Sequence, residues 1–104
     1  MVEERRREER VALMLELRWQ SLSGKHTARI SDMSVSGCYV ETIAQVTVGE
    51  LVRFEIKLPT GRWMPLIGEV VYHLPAMGFG LRFRSMTESQ RQMVASLLDY
   101  VKES

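Results

Sequence analysis

The residues best suited to chemistry lie in two short stretches. RRREER at positions 5–10 carries Arg5, Arg6, Arg7 and Arg10, with Arg6 and Arg10 spaced as RxxxR. SDMSVSG at positions 31–37 carries Asp32, Ser34, Ser36 and Gly37, spaced as DxSxxG. A guanidinium is a planar, permanently charged fork that pairs bidentately with a phosphate and stacks on a purine. An ionised aspartate only accepts hydrogen bonds, so it complements a ligand edge rich in N–H donors. A serine hydroxyl donates or accepts beside it. A glycine lets the backbone approach closely or turn left-handed. Such a set suits a small anionic ligand, for which a local cluster of positive charge is enough.

Other chemistries find no support. His26 and His73 are the only histidines, and no metal-ligand spacing surrounds either, so both are expected to be ordinary strand residues. SGKH at 23–26 resembles the end of a P-loop, but Trp19 stands where that loop needs its first glycine. There is no GxSxG elbow, and nothing places a base beside a nucleophile. Cys38 is the lone cysteine, which excludes an intramolecular disulfide and a cysteine-based zinc cluster. The expectation is a protein that is not an enzyme and holds no metal or cofactor.

Composition sets the scale. The chain has 104 residues, 45% of them hydrophobic and 26% charged, which fits one small globular domain with its own core. A net charge of +1 argues against a DNA or RNA partner, since a nucleic-acid binder usually carries a clear basic excess. No apolar run approaches the roughly 18–20 residues of a membrane span. MVEERRREER is not followed by the apolar region of a secretory signal, so a cytoplasmic protein is expected.

The elements that must position these residues follow from periodicity. Val11, Leu13, Leu15, Leu17 and Trp19 alternate with polar residues, apart from Ala12 and Met14, which predicts a half-buried strand. SLSGK at 21–25 predicts a turn and 26–33 a second strand. Further strands are expected from Cys38, over 51–58, over 63–74 and from Phe79, with Pro65 and Gly68 marking an edge or a bulge in the fifth. The period then changes to that of a helix over about 87–102, opened by a Thr87–Gln90 capping box. Six short strands and one helix predict a small antiparallel barrel or sandwich with a helix over one opening.

RxxxR directly before the first strand, with DxSxxG between the second and third, resembles the PilZ domain family of bacterial receptors for cyclic di-GMP. The resemblance covers nearly the whole chain. It includes GEVVYH at 68–73, GFGLRF at 78–83 with its Gly-Xaa-Arg-Phe ending, and the helix that follows Met86-Thr87-Glu88. It implies an all-β fold, a six-stranded antiparallel β-barrel over residues 11–104 with one C-terminal α-helix, preceded by a flexible arginine-rich leader over 1–10. It also implies that Arg6, Arg10, Asp32, Ser34 and Gly37 bind cyclic di-GMP, with Arg5, Arg7 and Ser36 as accessories and an aromatic contact from Tyr72 or His73. The chemistry agrees: arginines meet the phosphates and guanine's Hoogsteen edge, while Asp32 accepts from N1–H and N2–H. A receptor with no output domain of its own would act through an effector protein.

Two alternatives stay open. Taken alone, residues 1–10 are a solvated segment whose Glu3–Arg7 and Glu4–Arg7 pairs contribute about 0.2–0.5 kcal/mol each. The same fold could also serve as a protein-interaction module that binds no nucleotide. Glu8 and Glu9 sit inside RxxxR, where they would repel phosphates if turned inward.

Overall fold

The computed structural model describes residues 9–21 and 24–103. Six strands, β1 (Val11–Ser21), β2 (Gly24–Met33), β3 (Gly37–Glu41), β4 (Leu51–Lys57), β5 (Trp63–Leu74) and β6 (Gly78–Arg84), precede the helix α1 (Glu88–Glu103). They close into an antiparallel barrel in the order β1-β2-β3-β6-β5-β4, so of the two predicted forms the barrel is the one that exists. Closure is narrowest between β1 and β4, which share only Leu17↔Ile56, Arg18↔Glu55 and Trp19↔Phe54.

The alternation predicted for β1 is the alternation that forms. Val11, Leu17 and Trp19 are buried, Leu13 and Leu15 pack against them, and Ala12, Met14, Glu16, Arg18 and Gln20 face solvent. Inside, Phe79 is fully buried and meets the Trp19 ring edge-on at 5.7 Å between centroids. Trp19 in turn stacks on His26 at 4.9 Å, which makes this histidine part of the barrel lining. Trp63 stays outside, with the Arg18 guanidinium 3.8 Å above its ring.

The helix closes the end of the barrel where β1 begins. Val94, Leu97 and Leu98 are its buried residues. The capping box is formed: the Thr87 N–H donates to Gln90 Oε1 at 2.8 Å and the Gln90 N–H to Thr87 Oγ1 at 3.0 Å. The Gln90 side-chain amide also donates to the Pro65 carbonyl at 2.9 Å, fastening the start of the helix to β5.

Some boundaries differ from expectation. β2 starts at Gly24 rather than residue 26, and β3 takes in Gly37 and stops at Glu41. Gly68 is in regular register with Val52 and Phe83, and the bulge in β5 falls between Val70 and Tyr72 instead. Gly68 leaves room for packing: a Cβ there would lie 3.0 Å from the Phe54 ring and 3.2 Å from Leu81. Pro65 pairs with Glu55 of β4 but lies beyond the last β6 partner, Ile67↔Arg84, so its missing N–H costs the ladder nothing.

Cys38 is buried at the base of β3, and burial pushes its thiol well above the usual range, with Arg10 opposing and Asp32 adding to the shift. The thiol therefore stays protonated at neutral pH. Iodoacetamide at pH 8 should leave Cys38 unmodified in the folded protein and label it in urea, which mass spectrometry reads directly. Replacing Phe79 by alanine should lower unfolding stability by about 3–5 kcal/mol in urea titration.

Candidate functional site

A strand shows alternate side chains to alternate faces, and β2 breaks this rule at Ser31. His26, Ala28 and Ile30 turn inward on even numbers; Met33 turns inward on an odd one. The register shows the cause. Against β3, Ile30↔Val40 is followed by Asp32↔Tyr39, so Ser31 is an extra residue; against β1, the interval from Ala12 to Leu15 faces that from Asp32 to Ile30. The bulge re-aims Asp32 to the outer face and lets Met33 enter the core.

Outside, Asp32 meets Arg10. The Arg10 Nε–H donates to Asp32 Oδ1 at 2.8 Å, and Nη2 donates to the same oxygen. The pair is solvent-accessible, 49% on the arginine side and 35% on the aspartate side, so it stabilises the fold by no more than about 1 kcal/mol. Its value lies in placement: the last arginine of RxxxR already sits on the first residue of DxSxxG.

The other residues of DxSxxG build the turn itself. The Ser34 N–H donates to the Gly37 carbonyl at 2.8 Å, and Ser34 Oγ accepts from the Ser36 N–H at 3.3 Å. Ser34 is fully buried, so its first task is to hold the turn. The Ser36 carbonyl accepts from the Phe83 N–H at 2.7 Å, which ties the turn to β6. Gly37 faces outward opposite Arg82, and a Cβ there would lie 2.3 Å from the Leu81 carbonyl oxygen. Close approach of β3 to β6 demands glycine at this position.

Tyr72 is the expected aromatic on this face; His73 is not. The bulge in β5 turns Tyr72 outward, while His73 pairs with Phe79 and has a buried Nε2 without a partner. Tyr72 stacks on Tyr39, 6.2 Å between centroids and 20° between planes. Gly80, the cross-strand partner of both, makes room: a Cβ there would come within 2.4 Å of the Tyr72 ring. Asp32, Tyr39, Gly80 and Tyr72 thus form one outer row across four strands. Partial burial, with Tyr72, Glu41 and Asp32 nearby, pushes the Tyr39 hydroxyl up, so it remains a donor. Sequence reasoning missed Tyr39, although the aromatic in CYVET was the available signal.

Arg5, Arg6 and Arg7 lie outside the described residues. Glu9 accepts a hydrogen bond from Lys102 Nζ at 3.0 Å, near the end of α1, and this contact raises the Lys102 pKa. A concavity of about 1200 Å³, bordered by Arg18, Lys25, Arg53, Pro65 and Gln90, contains none of Arg10, Asp32, Ser34 and Gly37. The candidate site is an outer sheet surface.

A sequence model of the PilZ domain matches residues 4–100. No curated protein matches the chain in sequence. The PilZ domain of YcgR from Escherichia coli, solved with c-di-GMP, superposes with a TM-score of 0.76 at 12% identity, over 95% of this chain and 92% of that one. Bacillus subtilis MotI/DgrA, an inhibitor of motility, gives 0.75 at 20% identity over 95% of this chain, which spans only 50% of MotI. The PilZ domain of CeSA from a cellulose-synthesizing bacterium gives 0.69 at 14% identity, over 90% and 98% of the two chains. With that model matching residues 4–100 and the described strands closing into a six-stranded barrel, the chain belongs to the PilZ domain family.

Proposed function

We propose that the chain is a receptor for cyclic di-GMP that signals through a protein partner rather than by catalysis. One observation carries this reading: Arg10 and Asp32, 22 positions apart, meet on the outer face beside the DxSxxG turn. In the bound state Asp32 accepts from guanine N1–H and N2–H, and Arg10 turns from the carboxylate to the ligand. Tyr72 and Tyr39 offer a flat apolar flank to the base, in the row that also carries Asp32. Residues 1–10 then close over the ligand, with Arg6 opposite Arg10 and with Arg5 and Arg7 beside the phosphates.

Such closure has a thermodynamic cost. Ordering backbone takes about 1–2 kcal/mol per residue, which charge-assisted hydrogen bonds to the phosphates must offset. Of the two acidic residues inside RxxxR, Glu9 is engaged by Lys102, which lessens its repulsion of a phosphate. Support by likeness comes from the YcgR PilZ domain solved with c-di-GMP. The rival reading, an interaction module without nucleotide, draws on Ile43 and Met77. Both are exposed at the barrel end away from α1, where the Thr42 N–H donates to the Met77 carbonyl at 3.2 Å.

Calorimetric titration with cyclic di-GMP should show micromolar or tighter binding. Arg10→Ala and Asp32→Ala, both folded, should lose it, and GTP and cyclic AMP should give no heat. Silence from the unmodified protein at high micromolar ligand would favour the interaction module. Trypsin cleavage at Arg5, Arg6 and Arg7 should slow at saturating ligand. Cleavage at an unchanged rate would rule out closure of residues 1–10 while leaving binding intact.

A further inference from the structure

Arg82 is the exposed cation of the GFGLRF strand, and it points to the same face as Asp32 and Tyr39. Its cross-strand partner on β3 is Gly37, which offers no side chain to cover or pair with it. Its partner on β5 is Glu69, but Glu69 Oε1 already accepts from the Arg84 Nε–H at 2.8 Å and from Arg84 Nη2. Among the described residues no hydrogen bond or ion pair engages the Arg82 guanidinium. Arg29 provides the contrast: on the same outer surface it is flanked by Glu16 and Glu41. Arg82 alone stands between a glycine and a carboxylate committed elsewhere.

Its distance from the other site residues is also informative. Arg82 lies two strand spacings from Asp32, about 10 Å, and two residues further along, about 7 Å. A ligand whose base is read by Asp32 and flanked by Tyr39 extends over this ground with its sugar-phosphate ring. We infer that Arg82 is a further cation of the ligand site, fixed on the rigid barrel, which holds one phosphate of the bound nucleotide. The inference rests on the receptor reading above. Arg82 docks the phosphate on the sheet, at a point separate from Arg10 beside Asp32. A guanidinium placed there would pair with two phosphate oxygens through parallel N–H groups of a fixed planar fork, a geometry that a lysine ammonium lacks.

The test is calorimetry with cyclic di-GMP on the unmodified protein, Arg82→Ala, Arg82→Lys and Arg10→Ala, at low and at physiological salt, with urea unfolding of each. Arg82→Ala should weaken binding about tenfold or more and flatten its salt dependence. Arg82→Lys should keep the salt dependence and recover part of the affinity, with the urea midpoint of the unmodified protein. Equal affinity for Arg82→Ala and the unmodified protein, with binding lost in Arg10→Ala, would overturn the role of Arg82 and leave the receptor reading standing. Should Arg82→Ala unfold, full affinity in a folded Arg82→Lys would overturn the bidentate contact, and weakened affinity would support it. No binding by the unmodified protein would remove both.

Discussion

Pleating obliges a strand to send neighbouring side chains to opposite faces, and the candidate site residue Asp32 and the core residue Met33 both depend on where β2 changes phase. Through Ile30 the even-numbered residues line the barrel. Were that phase to continue, Asp32 would enter an apolar interior beside Cys38, an expensive place for an unpaired carboxylate, and Met33 would face water. The extra residue at Ser31 prevents both. Everything on the outer face then follows in register: Tyr39 opposite Asp32, Gly80 opposite Tyr39, Tyr72 folded back over Gly80. The candidate surface depends on two irregularities, the extra residue at Ser31 in β2 and the one at Val71 in β5.

Much of this was legible in the residues. The odd-number alternation of β1, the Thr87–Gln90 box and the change from a two-residue to a helical period each fix their element by local physics, and each formed as expected. DxSxxG was legible as a candidate site, yet its glycine could be explained in two ways, and only the clash that a Cβ would make with the Leu81 carbonyl chooses between them. The bulge in β5 was not legible. Gly68 and Pro65 carry the usual marks of irregularity, whereas the bulge lies at Val71, a residue type at home in regular strands. Its position answers to closure against β6, a relation between distant segments. The Tyr39–Tyr72 stack was hidden for the same reason, since its partners meet only through the register of β3, β6 and β5.

A convex site carries a particular energetic logic. The outer face of the barrel has rigid donors and acceptors but no walls, so solvent weakens each charged contact made there. Affinity for an anion must then come from several cations acting together and from the exclusion of water by whatever covers the ligand. In a receptor built as proposed, a barrel surface that recognises and a separate segment that covers could vary independently. The Arg10–Asp32 pair belongs to both parts. It spares two charges from standing alone, at little net gain to the fold.

The contact between Glu9 and Lys102 has an architectural consequence. It brings the two ends of the described chain to the same side of the barrel, beneath the helix. A domain whose strands leave from where they arrive can be spliced into a loop of another protein without stretching its host. In a host so built, the Glu9–Lys102 contact would set how the chain enters the barrel relative to where it leaves.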